Sequence, residues 1–412
     1  MAWLNGYPKF YEIVAANLYY LTNNVEAGKA LNFLSAFSLF FYAFNVLDKT
    51  LLKNKKSVNF IVSILLVCNP IVFAQLYTYY TDGLMYIYFM LLLLSVLDYE
   101  YSSNKTSIAM TIMSALMLSN IKFGGILYTI LIFIIYTGYL VYHKKKDTLK
   151  KLSKLWGIIF ILIGLTGINP YITNMYNGKH FLYPLAGNEK IDIITDNQPK
   201  QFHHKSMLYK LFMSTFSRVD NIQACSFCID RPIELKIPFT VHDIETKELN
   251  RVDVRLSGFG IFWSGILLLT ILLAFFIKRK KIPSPYLLSL GILLISVFIN
   301  PENWWARYIP QFYAVPIFVG LYYLLSNTSK TRYIITALFC ILIFFNSAII
   351  YNIAYNTARD NTIIKSKEIA ERENQIRTPY FIENLEKQKS LMIYNSEVLI
   401  FLDKYHKKQN SR

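Results

Sequence analysis

Histidine and cysteine are scarce in this chain, at six and four among 412 residues. Four cysteines are too few for a disulfide scaffold, and a zinc or redox role would need a second CxxC that the chain lacks. Cys68 and Cys340 fall in apolar stretches and read as inert packing residues. Cys225-Ser-Phe-Cys228 lies in a long polar loop and reads as either a local staple in an oxidising compartment or two free thiols. His180, His203 and His204 show no metal-ligand spacing on a helix. Acidic residues are also few, 26 against 43 Lys and Arg, for a net charge of +17. No helix-turn-helix, zinc finger or aromatic-basic RNA-binding pattern accompanies that charge, so no nucleic-acid partner is expected. Internal repeats and low-complexity segments are absent, and Met1 to Ala27 holds no apolar core of the signal-peptide kind.

What the chain has in quantity is apolar and aromatic side chains, 54% and 16% of its residues. About ten apolar stretches fall at 27–47, 57–76, 83–97, 107–119, 123–142, 155–168, 258–277, 285–299, 307–325 and 332–352. Lys49–Lys56, Lys144–Lys154, Lys278–Lys281 and Lys330–Arg332 occupy every second connection, the bias expected of cytoplasmic loops. The pattern predicts an all-α polytopic membrane protein with about ten transmembrane helices of irregular length. The stretch Leu84–Leu97 would reach only about 21 Å as a helix, short for a span. The organisation expected is an outer interfacial segment at 1–26, a first bundle at 27–168, an extracytoplasmic loop or subdomain at 169–257, a second bundle at 258–352 and a polar extracytoplasmic tail at 353–412. Met207–Arg218 spaces its apolar residues as an interfacial helix does, and Thr362–Ile376 and Ser390–His406 read as folded parts of the tail.

The residues with chemical promise gather in the connections opposite the lysine-rich ones. Asp82, between two apolar stretches, reads as a metal ligand or charge-orienting group beneath a phosphate-bearing substrate, or as a helix N-cap. Lys122, before Gly124 and Gly125, suits phosphate as a point charge, or snorkels to headgroups. Lys9 follows Tyr7-Pro8 in an aromatic, charged segment that also holds Glu12. In the run Asn300 to Gln311, Trp305 and Tyr308 fit an aromatic belt, whereas Arg307 has the planar fork that grips phosphate. Glu302 would pair with Arg307 or bind metal, and Asn169-Pro170-Tyr171 is a strong turn signal.

In order and sidedness, the segments Tyr7-Pro8-Lys9 to Asn32, Asn69-Pro70 to Asp82-Gly83, Asn120-Ile121-Lys122 with Asn169 to Asn174, and Trp305-Ala306-Arg307-Tyr308 with Pro310-Gln311 resemble bacterial polytopic glycosyltransferases of the GT-C superfamily. The resemblance covers residues 7 to about 325. It implies helices of irregular length, interfacial helices in the outer loops, and inverting sugar transfer from a polyprenyl-phosphate donor to a cell-envelope glycan or lipid at the outer face of the bacterial inner membrane. It implies donor-phosphate contacts at Lys9, Lys122 and Arg307, and substrate contacts at Tyr7, Asn169, Tyr171, Glu302, Trp305 and Tyr308. A divalent cation, Mg or Mn, would sit on Asp82, Glu12 or Glu302, and Asp82 and Glu12 are the candidate catalytic carboxylates. In such enzymes the catalytic carboxylate sits in a first outer loop ahead of the Tyr-Pro-Lys-like segment, where this chain has only Met1 to Gly6. The expectation is therefore a chain without the first helix and its acidic loop, inactive alone or working with a companion membrane subunit. The rival readings are a polysaccharide polymerase, a lipid-linked glycan transporter and a non-catalytic membrane partner protein.

Overall fold

A computed structural model of the chain describes residues 6–192, 194–224, 231–278 and 281–375. Cys225 and Cys228, and the tail segment Ser390–His406, lie outside the described residues. The chain divides into two units, residues 1–355 and residues 356–412. Helices make up the fold. Among the described residues there is no strand, only two isolated antiparallel bridges, Ser217 with Leu235 and Asp220 with Leu256.

The helices run in chain order α1 (Phe10–Thr22), α2 (Ala30–Lys49), α3 (Lys56–Val67), α4 (Pro70–Gln75), α5 (Asp82–Ser102), α6 (Lys105–Ile121), α7 (Phe123–Tyr142) and α8 (Lys146–Thr166). They continue as α9 (Thr173–Tyr176), α10 (Met207–Phe216), α11 (Asp243–Glu248), α12 (Trp263–Phe275), α13 (Ser284–Phe298), α14 (Ala314–Ser326) and α15 (Thr331–Gln375). In the second unit the described residues are the continuation of α15.

α5 explains the arrangement. It is apolar on every side, a pattern that suits a helix wrapped by others, and every residue from Asp82 to Tyr99 is buried. α2, α6 and α7 pack around it, and its 21 residues reach about 31 Å. The stretch read as short at Leu84–Leu97 is thus longer, because Asp98 and Glu100 are helical and have partners. Tyr42 donates to Asp98 at 3.2 Å, and Tyr136 and Lys145 both donate to Glu100. α15 carries a similar buried polar anchor: Asn346 donates to the Phe259 carbonyl at 2.7 Å and accepts from the Phe262 amide at 3.0 Å. Gly260 passes beside that amide with φ +108°, where a Cβ would stand 2.7 Å from Asn346 Oδ1.

Polar contacts define two ends of the bundle. At one, Tyr139 bonds Ser284 at 2.9 Å, Thr50 bonds Tyr286, and Asn327 donates to the Phe276 carbonyl at 3.1 Å. The lysine-rich connections after α2, α7, α12 and α14 fall here. At the other end Asn32 donates to the Thr78 carbonyl at 3.0 Å, Asn69 to the Pro310 carbonyl at 2.8 Å, and Tyr171 to the Ser119 carbonyl at 2.5 Å.

Four helices are long and apolar enough to cross a membrane: Val25–Lys49, Asp82–Ser102, Phe123–Tyr142 and Thr331–Ile364. A fifth forms if Lys146–Thr166 and Ile168–Tyr176, bent by 72°, count as one span. This is fewer than the ten apolar stretches of the sequence. The stretch 57–76 is broken where Asn69 accepts from the Ile71 amide at 2.9 Å and Pro70 opens α4. The stretch 307–325 starts as two 3₁₀ turns, Ala306–Tyr308 and Pro310–Tyr313, before α14. α3, α12 and α13 are apolar but short, with 12, 13 and 15 residues.

Candidate anion-binding site at the end opposite the lysines

The first turn of α5 sets the site. Thr81 does not cap it with its side chain. Instead Gln75, at the end of α4, accepts from the Gly83 amide at 2.8 Å and donates to Asp82 Oδ2 at 3.1 Å. One side chain therefore satisfies an orphan helix amide and holds the carboxylate. The N-cap reading of Asp82 is corrected here. Its oxygens face cations, and the capping acceptor is Gln75.

Asp82 is 1% exposed. A carboxylate this deep is costly unless it is paired. Lys122 donates to its Oδ1, and Arg307 Nε stands 3.1 Å from its Oδ2, as an ion contact rather than an aligned hydrogen bond. Arg307 Nη1 lies 3.6 Å from Asp253 Oδ2. Lys122 is the extended residue between α6 and α7, with φ −156°. The chain can turn so tightly there because Gly125 has no Cβ, which would stand 1.7 Å from the Leu118 carbonyl oxygen.

Aromatic faces surround the two cations. The Arg307 guanidinium lies 5.0 Å from the Trp305 ring centre, 5.1 Å from Tyr80 and 5.4 Å from Tyr308. The Lys122 ammonium lies 4.5 Å from the Tyr308 ring, close enough for a cation–π attraction. Trp305 is itself fixed. It stacks on Trp304 at 5.2 Å, donates to the Asp253 carbonyl at 3.0 Å, and carries Arg255 on its ring at 5.5 Å. Arg255 in turn donates to Asn197 through Nε at 2.9 Å and Nη2 at 2.8 Å.

Electrostatics follow from this packing. Burial holds the Lys122 ammonium below the usual lysine range against the pull of Asp82, with Arg307 adding to the depression. Arg307 goes the other way. Burial opposes its charge, but Asp82, Tyr308, Asp253 and Tyr80 together hold it above the ordinary guanidinium value. Lys122, Arg307, Arg255 and the neighbouring Arg251 against Asp82, Asp253 and Glu302 leave one net positive charge, +4 − 3. An anion is the ligand such a cluster favours.

Of the other residues singled out in the sequence, Tyr7 stands beside the cluster. Its ring lies 5.3 Å from Phe123, and burial pushes its phenol up to about 12, opposed by Arg307. Tyr171 is a packing residue whose ring meets Phe123 edge-on at 5.7 Å. Asn169 is exposed before the turn into α9 and accepts from Thr173 at 3.4 Å. Glu302 accepts from the Trp304 indole at 2.7 Å, so the expected pairing of Glu302 with Arg307 is replaced by Asp82 and Asp253. Lys9 is half-buried just before α1, and Glu12 is exposed on that helix. Glu12 contributes to none of the contacts just described.

The donor set does not fit a metal. Both oxygens of Asp82 face cations, Glu302 serves an indole, and no group of three His, Cys, Asp or Glu gathers among the described residues. Sequence reasoning missed Gln75, Asp253 and Arg255. Gln75 stands beside the Asn69-Pro70 break, a signal that α4 and α5 are separate helices needing a cap between them. Asp253 and Arg255 sit in a loop whose sequence carries no comparable mark. The sequence matches no family model, and no curated protein or solved structure matches it.

Proposed function

We propose that this chain is a membrane glycosyltransferase-like protein that holds the phosphate of a polyprenyl-phosphate sugar between Lys122 and Arg307. The observation that carries the reading is the convergence of those two cations on one carboxylate beside stacked aromatics, at the end opposite the lysine-rich connections. By the positive-inside bias that end is extracytoplasmic, in a bacterial cell membrane. In this reading the ten helices that run between the two ends, α2, α3, α5 to α8 and α12 to α15, all cross the bilayer, the short ones in thinned membrane.

The roles follow from the geometry. Arg307, with its planar fork, grips the donor phosphate, and Lys122 supplies a point charge that stabilises it as it leaves. Asp82 is a positioning residue: it aims both cations and keeps two half-buried positive charges from repelling each other. Tyr308 and Tyr7, both only partly buried, are the flat surfaces for sugar and for the first isoprene unit, and Trp305, 3% exposed between Trp304 and the two arginines, supports them from behind. No step runs through a metal. The acceptor hydroxyl must lose a proton to a carboxylate, and Asp82 is already saturated by cations. Asp253, partly exposed beside Arg307, and Glu12, exposed on α1 away from the cluster's contacts, are carboxylates of this chain open to that part; a carboxylate from a companion membrane subunit is the alternative that the saturation of Asp82 favours.

The test is binding of undecaprenyl phosphate to the chain in nanodiscs, with sugar transfer as the second readout. Arg307→Ala and Lys122→Met are each expected to weaken binding about tenfold, roughly 1.4 kcal/mol. Undiminished binding in both variants would remove the site assignment.

A further inference from the structure

A second feature lies at the lysine-rich end and takes no part in the cluster around Asp82. α3, α14 and α15 leave a groove of about 540 Å³ between them, within the size range of small-molecule sites. Its walls are apolar, among them Val58 and Leu65 of α3, Leu321 and Leu324 of α14, and Ala337 and Ile341 of α15. Two polar atoms at its lower end are buried without a partner. Thr336, 7% exposed, lines the groove with its Oγ1 covered, and Arg332, whose Nε is likewise covered, lies one turn before it. Arg332 has its Nη2 on the Tyr333 hydroxyl at 2.9 Å, and Tyr333 is itself a wall of the groove.

The charged residues of the two segments that flank this mouth, 49–58 and 328–336, are all basic, and Asp48 lies one residue before the first. Lys53, Lys55 and Lys56 are exposed at the start of α3, and Lys330 is exposed just before α15. No Asp or Glu occurs between Lys49 and Asp82, or between Glu302 and Asp360. An apolar groove flanked in sequence by exposed cations at one end has the polarity of one molecule: a lipid with an anionic head.

We propose that the groove between α3, α14 and α15 binds one anionic phospholipid, with an acyl chain along the exposed Ile61, Ile341 and Phe344 and its phosphate at Lys55, Lys56 and Arg332. Basic pockets between membrane helices hold anionic headgroups in this way, and each Lys or Arg near the surface contributes about 1 kcal/mol. The lipid covers the exposed apolar faces of α3 and α15, where Phe60, Ile61, Ile341 and Phe344 are open. The site is independent of sugar transfer and needs only that the chain be embedded in a bilayer.

The test is native mass spectrometry of the whole chain released from nanodiscs of equal phosphatidylglycerol and phosphatidylcholine. The expected result is one retained phosphatidylglycerol per chain, with phosphatidylcholine retained about fivefold less. Lys55→Gln, Lys56→Gln and Arg332→Gln together should bring the two lipids to parity while the monomer mass and thermal midpoint in detergent hold. Ala337→Trp, which fills the groove, should lower retention of phosphatidylglycerol with the cations intact. Equal retention of both lipids by the unaltered chain, or an unchanged preference in the triple variant, would overturn the proposal. So would a stable two-chain mass carrying no lipid, which would give the groove to a second copy.

Discussion

Arg307 and Lys122 share the carboxylate of Asp82, one on each oxygen, although Arg307 lies on a 3₁₀ turn after α13 and Lys122 on the joint between α6 and α7. Neither cation is placed by its own helix alone. Each is held by a residue at the head of the buried central helix α5. Asp82→Asn should therefore destabilise the chain by about 3–5 kcal/mol, since it leaves two half-buried charges uncompensated. Thermal unfolding in detergent reads this, and adding Lys122→Gln should recover part of the loss.

Arg307→Lys keeps the charge and discards the plane. The Asp82 ion pair can re-form, but stacking on Trp305, Tyr80 and Tyr308 cannot. Stability should fall less than with Asp82→Asn, while affinity for undecaprenyl phosphate drops by roughly tenfold. Equal losses in both properties would make Arg307 a structural residue only.

Gln75→Leu tests the cap. It removes the acceptor of the Gly83 amide and a donor to Asp82 in one change. The expected cost is about 1–3 kcal/mol. Hydrogen exchange should localise it to the first turn of α5, with the far end of the helix unaffected.

Gly125→Ala places a methyl group where the Leu118 carbonyl oxygen lies 1.7 Å away. The joint between α6 and α7 has to open, at about 1–3 kcal/mol. Because Lys122 sits in that joint, undecaprenyl phosphate binding should weaken along with the thermal midpoint. A Gly124→Ala control, with only Met85 and Tyr128 nearby at 3.6 and 4.0 Å, should be mild.

Lys236 and Glu245 form a fully buried pair at 2.5 Å in the loop region, and Lys236 also donates to the Ile261 carbonyl at 2.7 Å. Lys236→Met should cost about 3–5 kcal/mol, whereas Lys236→Met with Glu245→Leu should recover only part of that loss, because Glu245 also accepts from the Val219 and His242 amides at 3.0 Å. Intrinsic tryptophan fluorescence during denaturant unfolding separates the two cases.

The sequence made part of this legible. Apolar periodicity marks α6 and α7 within two residues of their ends, and the alternation of lysine-rich connections marks which connections share an end of the bundle. Asp82, Lys122 and Arg307 stand out as isolated charges at helix boundaries, and the fold brings those three together. Hydropathy gives no sign of the kink after Val67 or of the 3₁₀ turns before α14, because Pro and Asn break a helix without making it less apolar overall. Nor does it show what a charge pairs with. Asp253 and Glu302 look alike in sequence, yet one meets Arg307 and the other an indole, a difference set by loop geometry.

α5 touches protein all round, while α2, α12 and the first part of α15 each leave large side chains such as Phe41, Phe275 and Ile341 uncovered. These are two kinds of evolutionary freedom inside one molecule. On the uncovered faces any greasy residue serves as well as another, so shape can drift while polarity is held. Along α5 volume is what must be kept, and even an exchange of leucine for valine leaves a hole. A saturation screen would see that division as two separate alphabets, one sorted by polarity and the other by size, and would trace the central helix from the second alone.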